Sequence, residues 1–210
     1  MTTSFLIGVT GGIATGKSTV MAILGELGAD CIDADRVYGD LIQPGLPLWE
    51  RLRSRFGNDI VADSGQIDRR ALGRIVFADP RKLALLDALT HPAVVAEVVR
   101  RTEASDADVV AIEAVKLIES GLSARCDQVW LVVADRDAQI TRLIARNELS
   151  LAEAEQRLAS QPPDAGRREA ADVIIDNSGT GHALRESVRS HWDALAVGQA
   201  APEPSSILPK

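Results

Sequence analysis

No run of residues in this chain approaches the ~20 consecutive apolar positions that a membrane-spanning helix requires. The opening residues, MTTSFLIGV, lack the basic n-region of a secretory signal and lead straight into a glycine-rich segment. Cysteine is scarce. Cys31 and Cys126 lie far apart in apolar surroundings, which reads as two reduced thiols in or near the core and not as a disulfide or a metal pair. Positive charge is in deficit: 23 Lys and Arg face 30 Asp and Glu, a net charge of −7, which counts against a protein that coats nucleic acid. There is no internal repeat, and no N-K-x-D motif of the kind that reads guanine in GTP-binding switches. These absences leave a cytoplasmic chain of 210 residues, long enough for one sizeable core. The expectation is a monomer or weak homo-oligomer with no membrane or nucleic-acid partner. A small phosphorylated ligand stays open, because a few lysines and arginines can hold one inside an acidic whole.

What the chain does contain is FLIGVTGGIATGKSTVMAIL at residues 5–24. FLIGV is a short apolar run bounded by Thr10 and Gly11, and reads as a buried strand. STVMAILGELG spaces Val20, Met21, Ile23, Leu24 and Leu27 as one helix face and stops at Gly28. Between them, GGIATGKS fits G-x-x-x-x-G-K-[ST] at Gly11, Gly16, Lys17 and Ser18. A chain that turns from strand to helix around a phosphate must bring backbone N–H groups close to the anion. Glycine permits that approach, and the helix N-terminus adds partial positive charge. Lys17 then reaches the β- and γ-phosphates, and the Ser18 hydroxyl is placed to ligate Mg²⁺. The loop points to a nucleoside triphosphate without saying what is done with it.

The segment GADCIDADRV predicts a second strand over Ala29–Ile32, with Asp33 and Asp35 at its carboxyl end, where open α/β sheets bind ligands. One aspartate caps the helix ADRVYGDLI, and the other accepts a proton or holds Mg²⁺ through water; Asp33, nearer the strand, is the choice for the working one. Residues 37–105 read as mostly helical, with His91-Pro92 marking a helix entry within ADPRKLALLDALTHPAVVAEVVRR; a lone histidine there reads as structural. Val109–Ile112 is a buried strand ending at Glu113, which reads either as an acid near the Mg²⁺ shell or as a surface glutamate. QVWLVVAD (128–135) is a further strand ending in an acid. In RDAQITRLIARNELSLAEAEQRLASQ, Arg142 and Arg146 share one helix face and Arg157 follows on a second helix that Ser150 and Glu153 open as a capping box. This arginine pair reads either as a lid over a triphosphate or as solvated surface charge; the phosphate loop in the same chain favours the lid. ADVIIDNSG predicts a fifth strand, HALRESVRSHWDALAVG a closing helix, and QAAPEPSSILPK a disordered tail.

The segments GVTGGIATGKST, DADRV, IDRRALGRIVFADP, THP, IESGL, RLIARNELSLAEAEQRLASQ and ADVIIDNSG, in that order, resemble the dephospho-coenzyme A kinase family over residues 5–180. The resemblance implies an α/β P-loop three-layer fold with a five-stranded parallel sheet, a helical acceptor-binding domain and a helical lid. It implies one kinase domain over 1–198: core at about 1–36, 107–140 and 168–198, acceptor-binding insertion at about 37–106, lid at about 141–167, then a tail over 199–210. The implied reaction moves the γ-phosphoryl of ATP, with Mg²⁺, to the ribose 3′-hydroxyl of dephospho-CoA. By position, Gly11, Gly12, Ile13, Ala14, Thr15, Gly16, Lys17, Ser18 and Thr19 would hold ATP, and Ser18 the metal. Asp33 would be the base, Arg146 and Arg142 the lid arginines, and Asn177 would lie beside the adenine. Asp35, Arg69, His91, Glu113 and Lys116 fall to the acceptor side. One departure stands out: where the family has a proline and two leucines before the glutamate of IESGL, this chain has Val115 and Lys116 in place of the proline and first leucine. Lys116 either contacts a phosphate of the acceptor or points to water. The alternatives are another small-molecule kinase of the same architecture and, from a different class, a nucleotide-binding switch.

Overall fold

Phe5–Thr10 forms β1, the centre of the sheet, and its last four residues are fully buried. A strand buried on both faces must be apolar throughout, and its flanks are the equally apolar β3 (Val109–Glu113) and β4 (Gln128–Val133). The edge strands β2 (Asp30–Asp33) and β5 (Val173–Asp176) are shorter and half exposed. All pairings are parallel, in the order β2-β3-β1-β4-β5. The register sets Val9 beside Glu113 and Glu113 beside Asp33, so two carboxylates share the carboxyl edge of adjacent strands. The computed structural model describes residues 4–161 and 164–199. The tail expected to be disordered falls, from residue 200 on, outside the described residues.

Side chains alternate across the sheet with a period of two. Val109 and Ala111 face one core with α1 (Lys17–Glu26) and α9 (Gly181–Gln199), while Val110 and Ile112 face a second with α2 (Ala34–Leu41). The second core also takes Val94, Val95 and Val98 from the later part of α5 (Pro80–Glu103). The first part of α5 packs instead with α3 (Pro47–Phe56), a 3₁₀ turn at Asn58–Ile60 and α4 (Arg69–Phe77), around Leu48, Trp49, Leu52, Ile60 and Leu72. A fourth, small cluster joins α6 (Arg136–Asn147) and α7 (Leu151–Ala159) to Ile13 and Ala14 of the glycine loop. A five-residue helix, α8 (Ala165–Glu169), precedes β5.

Three local expectations are corrected. The second strand runs one residue later than predicted, so Asp33 is both its last residue and the N-cap of α2. His91-Pro92 does not open a helix; both lie inside the single 24-residue α5. Proline there deletes one backbone donor, but residues on either side of it are anchored in two separate cores, and that packing overrides the local break. Cys31 is exposed rather than buried, because it sits on an edge strand; it and Cys126 are both free thiols. Burial beside Asp127 pushes the Cys126 thiol up to about 12. Among the described residues, no helix is long and apolar enough to cross a membrane.

Candidate active site

The loop between β1 and α1 is closely built. Gly16 caps α1 with φ +96°, a left-handed conformation that favours glycine, and a Cβ there would collide with the Asn177 amide. A Cβ on Gly11 would strike the Val132 carbonyl of the neighbouring strand. Ala14 also has positive φ, at 57°. Thr15 Oγ1 donates to Gly12 O at 3.1 Å, and Lys17 Nζ donates to Gly11 O and Gly12 O, both at 3.0 Å. The lysine thus lies folded along the inside of its own loop, where an arriving phosphate competes for the same N–H groups.

Three side chains outside the motif hold the loop in shape. Asn177 Nδ2 donates to Thr15 O at 2.8 Å, and Gln139 Nε2 donates to Ile13 O at 2.7 Å. Arg142 donates to Asn177 O at 2.6 Å and more weakly to Ala14 O and Thr15 O at 3.3 and 3.4 Å. Ser178 Oγ accepts from Asp135 N at 2.8 Å, tying the ends of β4 and β5 together. Arg142 therefore braces the loop as well as facing the cleft, and the buried Asn177 is spent on the loop backbone.

Beside the loop opens a cleft of ≈ 630 Å³ lined by Lys17, Ser18, Thr19, Glu113, Arg146 and Arg157, among others. Its electrostatics are set by burial. Desolvation lowers the Lys17 ammonium, with Arg167 and Arg146 acting the same way and Glu113 and Asp35 opposing. Desolvation likewise raises Glu113, helped by Asp33 and Asp35 and opposed by Lys17 and Arg146. Arg146 is exposed at the cleft mouth, on the last turn of α6. Arg157 reaches the same cleft from α7, whose start is pinned by a complete Ser150–Glu153 capping box and by the 2.9 Å Arg136–Glu155 bridge.

A second cavity, ≈ 400 Å³, lies between α2, α5 and the loop after β3. Tyr38, Leu86, Val94, Val115 and Leu122 give it apolar walls, and Asp35, Asp87, His91 and Lys116 are its polar side chains. Asp33 Oδ1 accepts from Asp35 N at 2.8 Å and Arg36 N at 3.1 Å, which makes Asp33 the helix cap and leaves its second oxygen outside the cap. The expected split, with one aspartate capping and Asp33 working, is thus not a split: Asp33 caps. The Asp35 carboxyl is raised by desolvation first and by Asp33 next, against the pull of Lys17 and Arg69. Arg69, at the start of α4, stacks its guanidinium 5.3 Å from the Tyr38 ring centre. Lys116 points neither to water alone nor to an unpaired site: its Nζ donates to both Asp87 oxygens at 2.7 Å.

Sequence reasoning left three of these residues unassigned. Arg157, four residues after Glu153 on one helix face, looks in sequence like its ion-pair partner. Gln139 has no motif at all. Asp87 carried a readable signal, four residues before His91 on one helix face.

A glycine loop with an inward lysine, at the carboxyl edge of a parallel sheet and flanked by a basic cleft and an acid-edged cavity, defines a P-loop phosphotransferase. Within that class the chain belongs to the dephospho-CoA kinase family, whose profile matches residues 5–182. It is 44% identical over 195 residues to the dephospho-CoA kinase of Moorella thermoacetica, covering 91% of this chain and 92% of that one. Among solved structures, the Thermus thermophilus protein TT1252 superposes with a TM-score of 0.79 at 30% identity, covering 95% of this chain and 99% of that one. The dephospho-CoA kinase of Campylobacter jejuni superposes with a TM-score of 0.67 at 27% identity, covering 92% and 98%.

Proposed function

We propose that this chain phosphorylates the ribose 3′-hydroxyl of dephospho-CoA with ATP, giving coenzyme A and ADP, the last step of coenzyme A synthesis, in the cytoplasm. The observation that carries the reading is that two cavities meet the same acidic strand edge: Lys17 and Glu113 line the first, Asp35 lines the second, and Asp33, two residues before Asp35, pairs in register with Glu113. A donor phosphate in the first and an acceptor alcohol in the second meet at that edge.

The triphosphate would lie on the loop amides of residues 11–19, with Lys17 exchanging its two carbonyl partners for phosphate oxygens. Arg146 and Arg157 would neutralise charge on the moving phosphoryl group, while Arg142 and Asn177 keep the loop in its binding shape. The 3′-hydroxyl would give its proton to the free oxygen of Asp33, whose carboxylate is oriented by its cap bonds. The new bond would form between the 3′-oxygen of the acceptor and the γ-phosphorus as the bond to the β,γ-bridging oxygen breaks and ADP leaves. The helical unit of α3, α4 and early α5 would hold the rest of the acceptor, and α6–α7 would serve as the lid. For Mg²⁺ the protein offers the exposed Ser18 hydroxyl and the nearby Glu113, a sparse set of hard oxygens. That suits an ion that keeps its waters and takes most other ligands from substrate phosphates. Held there, Mg²⁺ would supply charge neutralisation for the substrate phosphates.

Incubating the purified protein with ATP, Mg²⁺ and dephospho-CoA should yield coenzyme A by mass spectrometry. A panel of nucleosides and nucleotides should give little turnover. No coenzyme A at any acceptor concentration would overturn the assignment, and preferential turnover of a nucleoside would move it to another kinase of the same fold.

A further inference from the structure

Asp87 lies on α5 at the wall of the acceptor cavity and belongs to none of the motifs. It nevertheless draws two side chains of that wall together. Both its oxygens accept from Lys116, at 2.7 Å each, and its Oδ1 lies 3.4 Å from His91 Nε2. Lys116 comes from the loop after β3, 29 residues away in the chain, so the bridge joins the sheet side of the cavity to its helical side. A lysine placed at an apolar wall needs a counter-charge, and Asp87 provides it.

We infer that Asp87 is a positioning residue for the acceptor: it holds Lys116 at the cavity rim, where the ammonium's remaining N–H meets an anionic group of the acceptor. This rests on the reading of the cavity as the dephospho-CoA site, and the anionic group is the acceptor's diphosphate. A lysine carries four rotatable bonds, and fixing it before the ligand arrives removes an ordering cost from binding. The Lys116 and Asp87 side chains keep 45% and 30% of their surface, so the ion pair stays open enough to share the lysine with an incoming phosphate.

The test is the kinetics of Asp87→Asn and Asp87→Ala in the full chain, with calorimetric binding of dephospho-CoA alongside. Both variants should raise KM for dephospho-CoA about tenfold while kcat and KM for ATP stay within about twofold, the pattern of lost ground-state binding. In a Lys116→Leu background, Asp87→Asn should change KM by less than about twofold, because its target is gone. Asp87→Glu should recover much of the loss. An unchanged KM in both variants, a lower KM, or an equal effect in the Lys116→Leu background would each overturn the inference while leaving the kinase assignment intact. If the unaltered protein neither binds nor turns over dephospho-CoA, both fall together.

Discussion

At the scale of single residues, one carboxylate caps a helix and is also the base proposed above. Asp33 Oδ1 satisfies two amides at the start of α2, and the role proposed for it needs the other oxygen. These tasks are separable by substitution. Asparagine caps helices as well as aspartate does, but cannot take a proton at its amide. Asp33→Asn should therefore leave the melting temperature nearly unchanged and lower kcat by about 10²–10⁴, the usual contribution of a positioned base. Asp33→Ala should lose the activity and, with the cap, about 1 kcal/mol of stability. Full turnover in the asparagine variant would shift the base to Asp35, the neighbour whose carboxyl desolvation raises and which lines the acceptor cavity.

Elements differ in how much of their fate is local. The α7 start is local: Ser150 Oγ accepts from Glu153 N at 3.3 Å, and Glu153 Oε2 accepts from Ser150 N at 2.9 Å. Ser150→Ala should cost about 1 kcal/mol, read as a fall of roughly 2–4 °C in Tm for a chain of this size. Ser150→Thr should restore it, and an unchanged Tm in the alanine variant would show that tertiary packing alone holds α7. The same locality explains why the glycine loop, the five strands and this capping box are legible in the sequence: each depends on residues within one turn or one strand. The His-Pro segment is not legible, because two cores that form only in three dimensions carry α5 through its proline. The bracing of the loop by Arg142 and Asn177 is hidden for a similar reason. Arg142 bonds carbonyls more than 120 residues away, and an arginine four before Arg146 looks in sequence like a second phosphate ligand. Lys116 reads in sequence as a free cation, and only the fold supplies Asp87.

At the scale of the whole molecule, α5 is the connection that matters. Its 24 residues span about 36 Å. Leu83, Leu86 and Leu89 are built into the core of α3 and α4, the proposed acceptor side, and Val94, Val95 and Val98 into the sheet's second face. A rigid rod shared by two cores couples their unfolding, since neither can lose its share of α5 without fraying the other. Two tryptophans report on the two ends: Trp49 lies in the acceptor-side core and Trp130 in the sheet, at 7% and 0% exposure. A chain keeping only Trp49 and another keeping only Trp130, each melted with fluorescence and far-UV circular dichroism together, should show coincident midpoints within each chain. The Leu52→Ala substitution, at a fully buried acceptor-side position, should cost about 2–5 kcal/mol and move both probes by the same amount. If Trp49 emission changes several degrees before the dichroism, the acceptor-side unit unfolds on its own. Then α5 is a hinge between two independent bodies, and substrate-driven closure need not disturb the sheet. Coincident melting instead means that the two cores and the α5 that joins them unfold as one cooperative unit.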